Sequence, residues 1–307
     1  MSLLSLLKGK GKSGFGYGST AEEVTAGVSL AGKNVLITGC NSGLGLETMR
    51  VLSMRGAHIL GLARSVQKAQ EAAASVHASA DCFACELAEP KSITAAVTEI
   101  NKTGKQIDVL ICNAGIMSLP KLEKQYGYEA QFFTNHIGHF ILVTGLLPLL
   151  APKARVVIVT SSAHLAAPPE GIRFEDLGGD RFYIPWLHYG QSKMANLLFA
   201  KELARKFQGS GQTANAVHPG VIFTNLRRHM SPFVQGLSAI AKPLFLKSVG
   251  EGAATQCYVA SHPALAGVSG EYFADCNIAM PRPDANDPKL AERLWKVSEE
   301  IAARVTA

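Results

Sequence analysis

The sequence predicts a single α/β domain, built as an open and doubly wound, mostly parallel sheet with helices on both faces. Three observations carry this. Strand-like and helix-like patterns alternate along the chain, the order that parallel strands joined by crossover helices require. Arg155 to Thr160 is almost entirely β-branched (Val156, Val157, Ile158, Val159), as a strand buried on both faces should be. Upstream, Asn34 to Thr38 reads as a short buried strand, Gly39 to Gly45 as a glycine-rich turn, and Leu46, Met49 and Leu52 as a helical pattern. The 307 residues suit one domain of about seven strands with extensions, and an apolar fraction of 47% can fill its core.

Residues 1–30 precede the expected domain. Leu3, Leu4, Leu6 and Leu7 are followed by Lys8, Lys10 and Lys12, too short and wrongly charged for a secretory signal. Two readings stay open: a tail packed on the domain or a partner, or a peripheral membrane contact through residues 1–12. Gly14 to Gly18 is a glycine-rich link, and Thr20-x-x-Glu23 a capping box that opens a short helix.

Further strands are expected near 57–62, 81–85, 107–112, 155–160, 213–217 and 270–273, with helices over 65–77, from Tyr189 to about Phe207, and over 250–261. Asp287-Pro288 starts a C-terminal helix within 281–307, its stripe of Leu290, Leu294, Val297, Ile301 and Val305 facing the domain or a neighbouring subunit. No run of about 18 apolar residues predicts a conventional transmembrane helix. The formal charge of +6 is modest, and no arginine-rich or aromatic-interleaved stretch argues for a nucleic-acid partner.

Two stretches carry chemistry. Tyr189 and Lys193 lie four apart on one helical face, so a phenol stands beside an ammonium that favours its ionised form. Such a tyrosine can give a proton to a carbonyl oxygen or take one from an alcohol. The glycine-rich turn lets the backbone approach a pyrophosphate at a helix N-terminus. At the end of the second strand Ala63 stands where an acid would bind a ribose hydroxyl, and Arg64, whose fork suits a 2′-phosphate, follows it. This favours NADP(H) over NAD(H). No metal site is expected: Cys82 and Cys85 should point to opposite faces of a strand, and His136 and His139 read as packing histidines.

Thr38-Gly39-x3-Gly43-x-Gly45, Asn113-Ala114-Gly115, Tyr189-x3-Lys193 and Pro219-Gly220 fall in an order and spacing that resemble the short-chain dehydrogenase/reductase family over residues 31–280. Within it the chain is similar to the retinol-dehydrogenase-like branch, and to dehydrogenases of the chloroplast inner-envelope translocon. The resemblance implies a Rossmann-type fold with Tyr189 as general acid/base, Lys193 as its electrostatic partner and Asn135 holding a water that links the lysine to solvent. Ser162 orients the substrate oxygen, with Ser161 left open. Gly39, Asn41, Ser42, Gly43, Leu44, Gly45, Arg64, Glu86, Leu87, Asn113, Ala114, Gly115, Tyr189, Lys193, Pro219, Gly220, Ile222 and Thr224 would line the cofactor. Glu86 replaces the family's aspartate, and Cys112 its first asparagine.

The interval from Ser162 to Tyr189 is long in this branch too. Residues 163–188 hold Pro168, Pro169, Phe174, Phe182, Tyr183 and Trp186, read either as an apolar wall for substrate or as a flap with its own small core. The apolar stripe of 225–247, with Met230 and Phe233, resembles a substrate lid; a packed core helix is the alternative. Trp186, Met230, Phe233 and Ser162 are the expected substrate contacts. The implied activity is hydride transfer between NADP(H) and an apolar carbonyl or alcohol, retinoid-, steroid- or aromatic-like. An NADP(H)-sensing scaffold and a C=C reductase of the protochlorophyllide-reductase type are the alternatives. The resemblance further implies a homodimer or homotetramer. A cytoplasmic location is expected, with membrane or organellar association left open.

Overall fold

The computed structural model describes residues 9–220 and 247–307. The strands are β1 (Asn34–Thr38), β2 (His58–Ala63), β3 (Ala80–Ala84), β4 (Ile107–Cys112), β7 (Leu150–Val159), β8 (Thr213–His218), β9 (Tyr272–Ala274) and β10 (Asn277–Ile278), with a separate hairpin β5 (Lys124–Gln125) and β6 (Tyr128–Glu129). Among the described residues they form an eight-stranded sheet in the order β10-β9-β8-β7-β4-β1-β2-β3. Every pair is parallel except β9 with β10. The count exceeds the expected seven because β9 folds straight back through Asp275 (φ 50°) and Cys276 (φ 61°). That two-residue hairpin turn needs positive φ twice, and Asp-Cys lacks the Asn-Gly signal that would have announced it.

The helices are α1 (Ala21–Val24), α2 (Gly43–Met54), α3 (Val66–Ser75), α4 (Pro90–Lys102), α5 (Ala130–Phe132), α6 (Gly138–Leu146), α7 (Pro185–Lys206), α8 (Val249–Ser261) and α9 (Pro288–Thr306). Alternation along the strands divides the core. Leu36, Leu60, Leu110 and Val156 pack with Ile93 of α4, Leu142 of α6, Leu197 of α7 and Leu294 of α9. Val35, Ile37, Ile59 and Val157 pack with Leu52 of α2, Ala69 of α3 and Val259 of α8. Each such side chain, fully buried, contributes roughly 1.5–3 kcal/mol. The two layers make this a doubly wound Rossmann-type fold. Cys85 joins the first layer and Cys82 packs on the second, as opposite strand faces require. Burial raises both thiols, Cys85 to about 12, so neither is a poised thiolate.

Both terminal extensions prove to be integral. The expected capping box opens α1, with Glu23 N–H on Thr20 Oγ1 at 3.2 Å and Thr20 N–H on Glu23 Oε2 at 2.8 Å. Residues 9–30 do not stand off as a link. Ala21, Val24 and Leu30 are buried with the second layer, Phe15 packs edge-on to Tyr258, and Asn277 accepts from Ser13 N–H and donates to Phe15 O. Of residues 1–12, only 9–12 are described. At the other end Trp295 of α9 meets Phe140 at 5.0 Å, which makes the C-terminal helix part of this chain's own core. Ala130–Leu149 is apolar enough by length and composition to cross a membrane, yet 72% of it is buried in the fold. It also carries Asn135, His136 and His139, which marks it as a core segment.

Candidate active site

β1 delivers Thr38 beside β4, where the strand order reverses and open α/β sheets form their crevice. Gly39 turns the chain at φ 65°, a region that favours glycine. α2 starts at Gly43 with Ser42 at its N-cap. Ser42 makes no side-chain cap and the first turn carries no acid, so its N–H groups and positive dipole end are left for an anion. A Cβ on Gly45 would overlap the Gly39 carbonyl oxygen and stand 2.7 Å from Asn113 Nδ2. Asn41 is half-buried and Ser42 exposed on this turn, while Leu44 packs on the core. The cradle fits a pyrophosphate.

Around it, Asn113 ties β4 to β1, donating Nδ2–H to Thr38 O at 2.9 Å. Asn113 N–H and Ala114 N–H both donate to Thr38 Oγ1, at 2.9 and 3.0 Å, and Gly115 is exposed at the crevice. Arg64 is exposed after β2 and engages no hydrogen bond or ion pair among the described residues. Glu86 instead turns its carboxylate to Ala88 N–H at 3.3 Å, and Leu87 is buried against Gly138. Pro219 is buried and Gly220 adopts φ 94°. Lys247 lies against Gly220 and pairs with Asp275 at 2.7 Å, its side chain 1% exposed. Ile222, Thr224, Met230 and Phe233, and the expected lid apart from Lys247, lie outside the described residues.

The reacting pair sits on α7. Pro185 at its first turn starts this helix one turn earlier than expected, which places Tyr189 in the second turn. Tyr189 and Lys193 are both buried, with Lys193 Nζ 5.7 Å from the phenol ring centre and donating to Val159 O at 3.2 Å. Burial dominates both groups. It pushes Tyr189 up to about 12, opposed by a hydrogen bond from Ser161, and pulls Lys193 down to about 8. Burial, not the expected lowering by the neighbouring ammonium, sets the phenol, because both groups lie out of water. The phenol therefore holds its proton at pH 7, ready to donate.

Ser161 is the serine that bears on the phenol's proton, and its Oγ accepts from Ala163 N–H at 3.2 Å. Ser162 follows in a 3-10 turn and donates its N–H to His218 Nδ1 at 3.2 Å. Trp186 is 48% exposed and tilts over Tyr189 at 5.5 Å, beside the phenol. The 163–188 stretch forms no separate core. Ile172 and Leu177 enter the main one, Tyr183 Oη donates to Leu119 O at 2.7 Å, and Arg282 donates to the Ala167 and Pro168 carbonyls at 2.7 Å each.

Asn135 lies in a π turn, Phe133–Ile137. Its side chain is fully engaged: Oδ1 accepts from Ile116 N–H at 2.8 Å, and Nδ2 donates to Ile116 O and Ser192 Oγ, each at 2.9 Å. Its side-chain atoms have no place left for a relaying water, and its main-chain carbonyl accepts from His139 Nδ1–H at 2.9 Å. The sequence did not signal this turn, which no residue pattern encodes. His136 bonds Ser298 at 2.8 Å and His139 bonds Thr38 at 2.9 Å, both buried. Burial lowers them to about 3 and about 4. A depressed histidine pKa gives stability that is full above about 6.5 and lost as pH falls toward the folded value. Each should weaken folding by up to about 1.4 kcal/mol per pH unit over that window. Urea denaturation at pH 7 and pH 5 should show a smaller difference for His136→Leu than for wild type. An equal difference would overturn the assignment.

A buried Tyr–Lys pair, two serines following the neighbouring strand and an anion cradle, gathered at the carboxyl ends of a doubly wound sheet, define a nucleotide-dependent oxidoreductase. The short chain dehydrogenase family model matches residues 33–174. The chain is 41% identical over 316 residues to the short-chain dehydrogenase TIC 32 B, chloroplastic, of Brassica napus, covering 98% of each chain. It is 40% identical over 284 residues to retinol dehydrogenase 12 of Mus musculus, covering 90% of this chain and 88% of that one. A solved structure from Mycobacterium paratuberculosis has a TM-score of 0.73 at 33% identity, covering 93% of this chain and 98% of that one. One from Burkholderia cenocepacia, a short chain dehydrogenase in complex with NADP, has a TM-score of 0.63 at 23% identity, covering 80% of this chain and 96% of that one. The chain belongs to the short-chain dehydrogenase family.

Proposed function

We propose that this oxidoreductase exchanges hydride between C4 of NADP(H) and the carbonyl or alcohol carbon of an apolar substrate, retinoid-, steroid- or aromatic-like. The observation that carries the reading is the buried phenol of Tyr189 with Lys193 one turn on, its Nζ 5.7 Å from the ring centre. When bound, the nicotinamide supplies or accepts the hydride. In reduction Tyr189 gives its proton to the substrate oxygen; in oxidation it takes one. The serine pair holds that oxygen: Ser161 aligns the phenol, and Ser162 lies next to it. Lys193 keeps a positive charge beside the phenol and is at hand for the cofactor ribose. Trp186 offers an apolar wall. Proton transfer of this kind is worth roughly two to four powers of ten in rate, and fixed orientation adds to it.

Arg64 supports NADP(H) over NAD(H). A guanidinium without another partner among the described residues can take a 2′-phosphate, and a charge-assisted bond of about 1.5–3 kcal/mol corresponds to roughly 10–150-fold in affinity. Oxidation of NADPH and NADH with a panel of aldehydes and ketones tests both claims. Turnover with NADPH preferred is the expected result, and Arg64→Asp should reverse the preference. An unchanged preference in Arg64→Asp would sink the cofactor argument alone. Reduction of an enone to its saturated ketone would move the reading to a C=C reductase. Tight NADPH binding with no turnover across the panel would replace it with the sensing scaffold. That alternative draws on the likeness to TIC 32 B, which spans 98% of both chains.

A further inference from the structure

His139 stands four residues beyond Asn135, reaches back to its carbonyl and at its other nitrogen meets Thr38. The hydrogen bonds fix which nitrogen carries the proton. Thr38 Oγ1 already accepts from Asn113 N–H and Ala114 N–H, at 2.9 and 3.0 Å, so both its lone pairs are used. Its own hydrogen is then free to donate, and His139 Nε2 lies 2.9 Å away, against 3.5 Å for the Ile111 carbonyl. Nε2 is the acceptor, so Nδ1 carries the hydrogen and donates it to Asn135 O at 2.9 Å. His136, one turn earlier, is set the other way. Ser298 Oγ donates to Leu294 O at 2.7 Å and so accepts from His136 Nε2–H, which leaves Nδ1 unprotonated.

Beyond its side-chain bonds, Asn135 presents a main-chain carbonyl that accepts from His139 Nδ1–H at 2.9 Å. A Cβ on Gly115 would stand 2.9 Å from Asn135 Oδ1 and 3.6 Å from Lys193 Nζ, so asparagine and ammonium flank the same point of the crevice. We propose that His139 is a positioning residue for the reaction: its Nδ1–H fixes the Asn135 main-chain carbonyl, which holds the water that carries protons to Lys193. This rests on the proposed role of Tyr189. It also makes Thr38 serve two ends, since one hydroxyl supports both the strand end at the glycine turn and the imidazole behind the proton path.

The two arms of the imidazole can be separated. An asparagine amide reaches about as far as Nδ1, a glutamine amide about as far as Nε2. His139→Asn keeps the arm to Asn135; His139→Gln keeps the arm to Thr38 and loses the other. The expected result is a kcat about tenfold lower in His139→Gln, with KM for NADPH and carbonyl within about twofold and a larger solvent deuterium isotope effect, while His139→Asn stays within about threefold of wild type. Equal losses in both variants, or a change in KM alone, overturn the inference while Tyr189→Phe is inactive. A wild type without turnover, or a Tyr189→Phe variant that keeps it, removes the reading of Tyr189 and the inference together. Nitrogen NMR of the wild type needs no variant. His139 should be the Nδ1–H tautomer and His136 the Nε2–H tautomer at pH 7, and His139 found as Nε2–H or cationic overturns the proposal.

Discussion

Tyr189→Phe should lower kcat by about a hundred- to ten-thousandfold and leave NADPH affinity within about threefold. The substitution removes one oxygen from a ring that is already buried, so packing against Trp186 survives and only the proton is lost. The phenol is pushed up to about 12 by burial. Single-turnover NADPH oxidation against equilibrium fluorescence titration separates chemistry from binding. Retained turnover would mean that the proton comes from elsewhere in the crevice. Ser161→Ala and Ser162→Ala belong to the same experiment. Ser161 is the serine that bears on the phenol's proton and should give the larger loss of the two, and the reverse order would return the orienting role to Ser162.

Gly45→Ala should abolish measurable NADPH binding, a loss of at least about a hundredfold, and destabilise the fold by about 1–3 kcal/mol or more. The added methyl would overlap the Gly39 carbonyl oxygen, and Asn113 Nδ2 blocks the other side at 2.7 Å. Neither neighbour is a flexible side-chain end. Gly39 O is backbone in a turn, and Asn113 is held to Thr38 O at 2.9 Å. The helix start must back away, which pulls its free N–H groups from the anion they face. Gly250→Ala is the control. Its Cβ would meet only Glu47 Oε1 at 3.5 Å, an ordinary contact, within the first turn of a helix. That variant should bind NADPH as wild type does and gain up to about 1 kcal/mol. Thermal melts and fluorescence titration check both, and normal binding by Gly45→Ala would refute the cradle.

Much of this was legible in the chain. The bounds of β1 and β4 match their expected spans because short β-branched runs end at polar or glycine residues that cannot continue them. The capping box of Thr20 and Glu23 formed as expected, since both arms are local bonds. Other features were not legible. β10 follows a turn made by Asp275 and Cys276, residues that take positive φ only because the sheet edge receives what comes after. The start of α7 at Pro185 lay inside a stretch whose aromatics masked any helical period.

The sequence by itself determined the spacing of groups: a phenol and an ammonium one helical turn apart, glycines where a strand must give way to a helix, and an arginine at the end of β2. These are one-dimensional facts, because a helix or a turn converts separation along the chain directly into geometry. The tertiary structure decided which way each buried histidine points its hydrogen. It also decided that burial, rather than the neighbouring ammonium, sets the phenol's resting proton. Those outcomes depend on how far water is excluded and on partners far away in the chain, such as Thr38 with His139 and His136 with Ser298, which only the packed sheet and helices bring within reach.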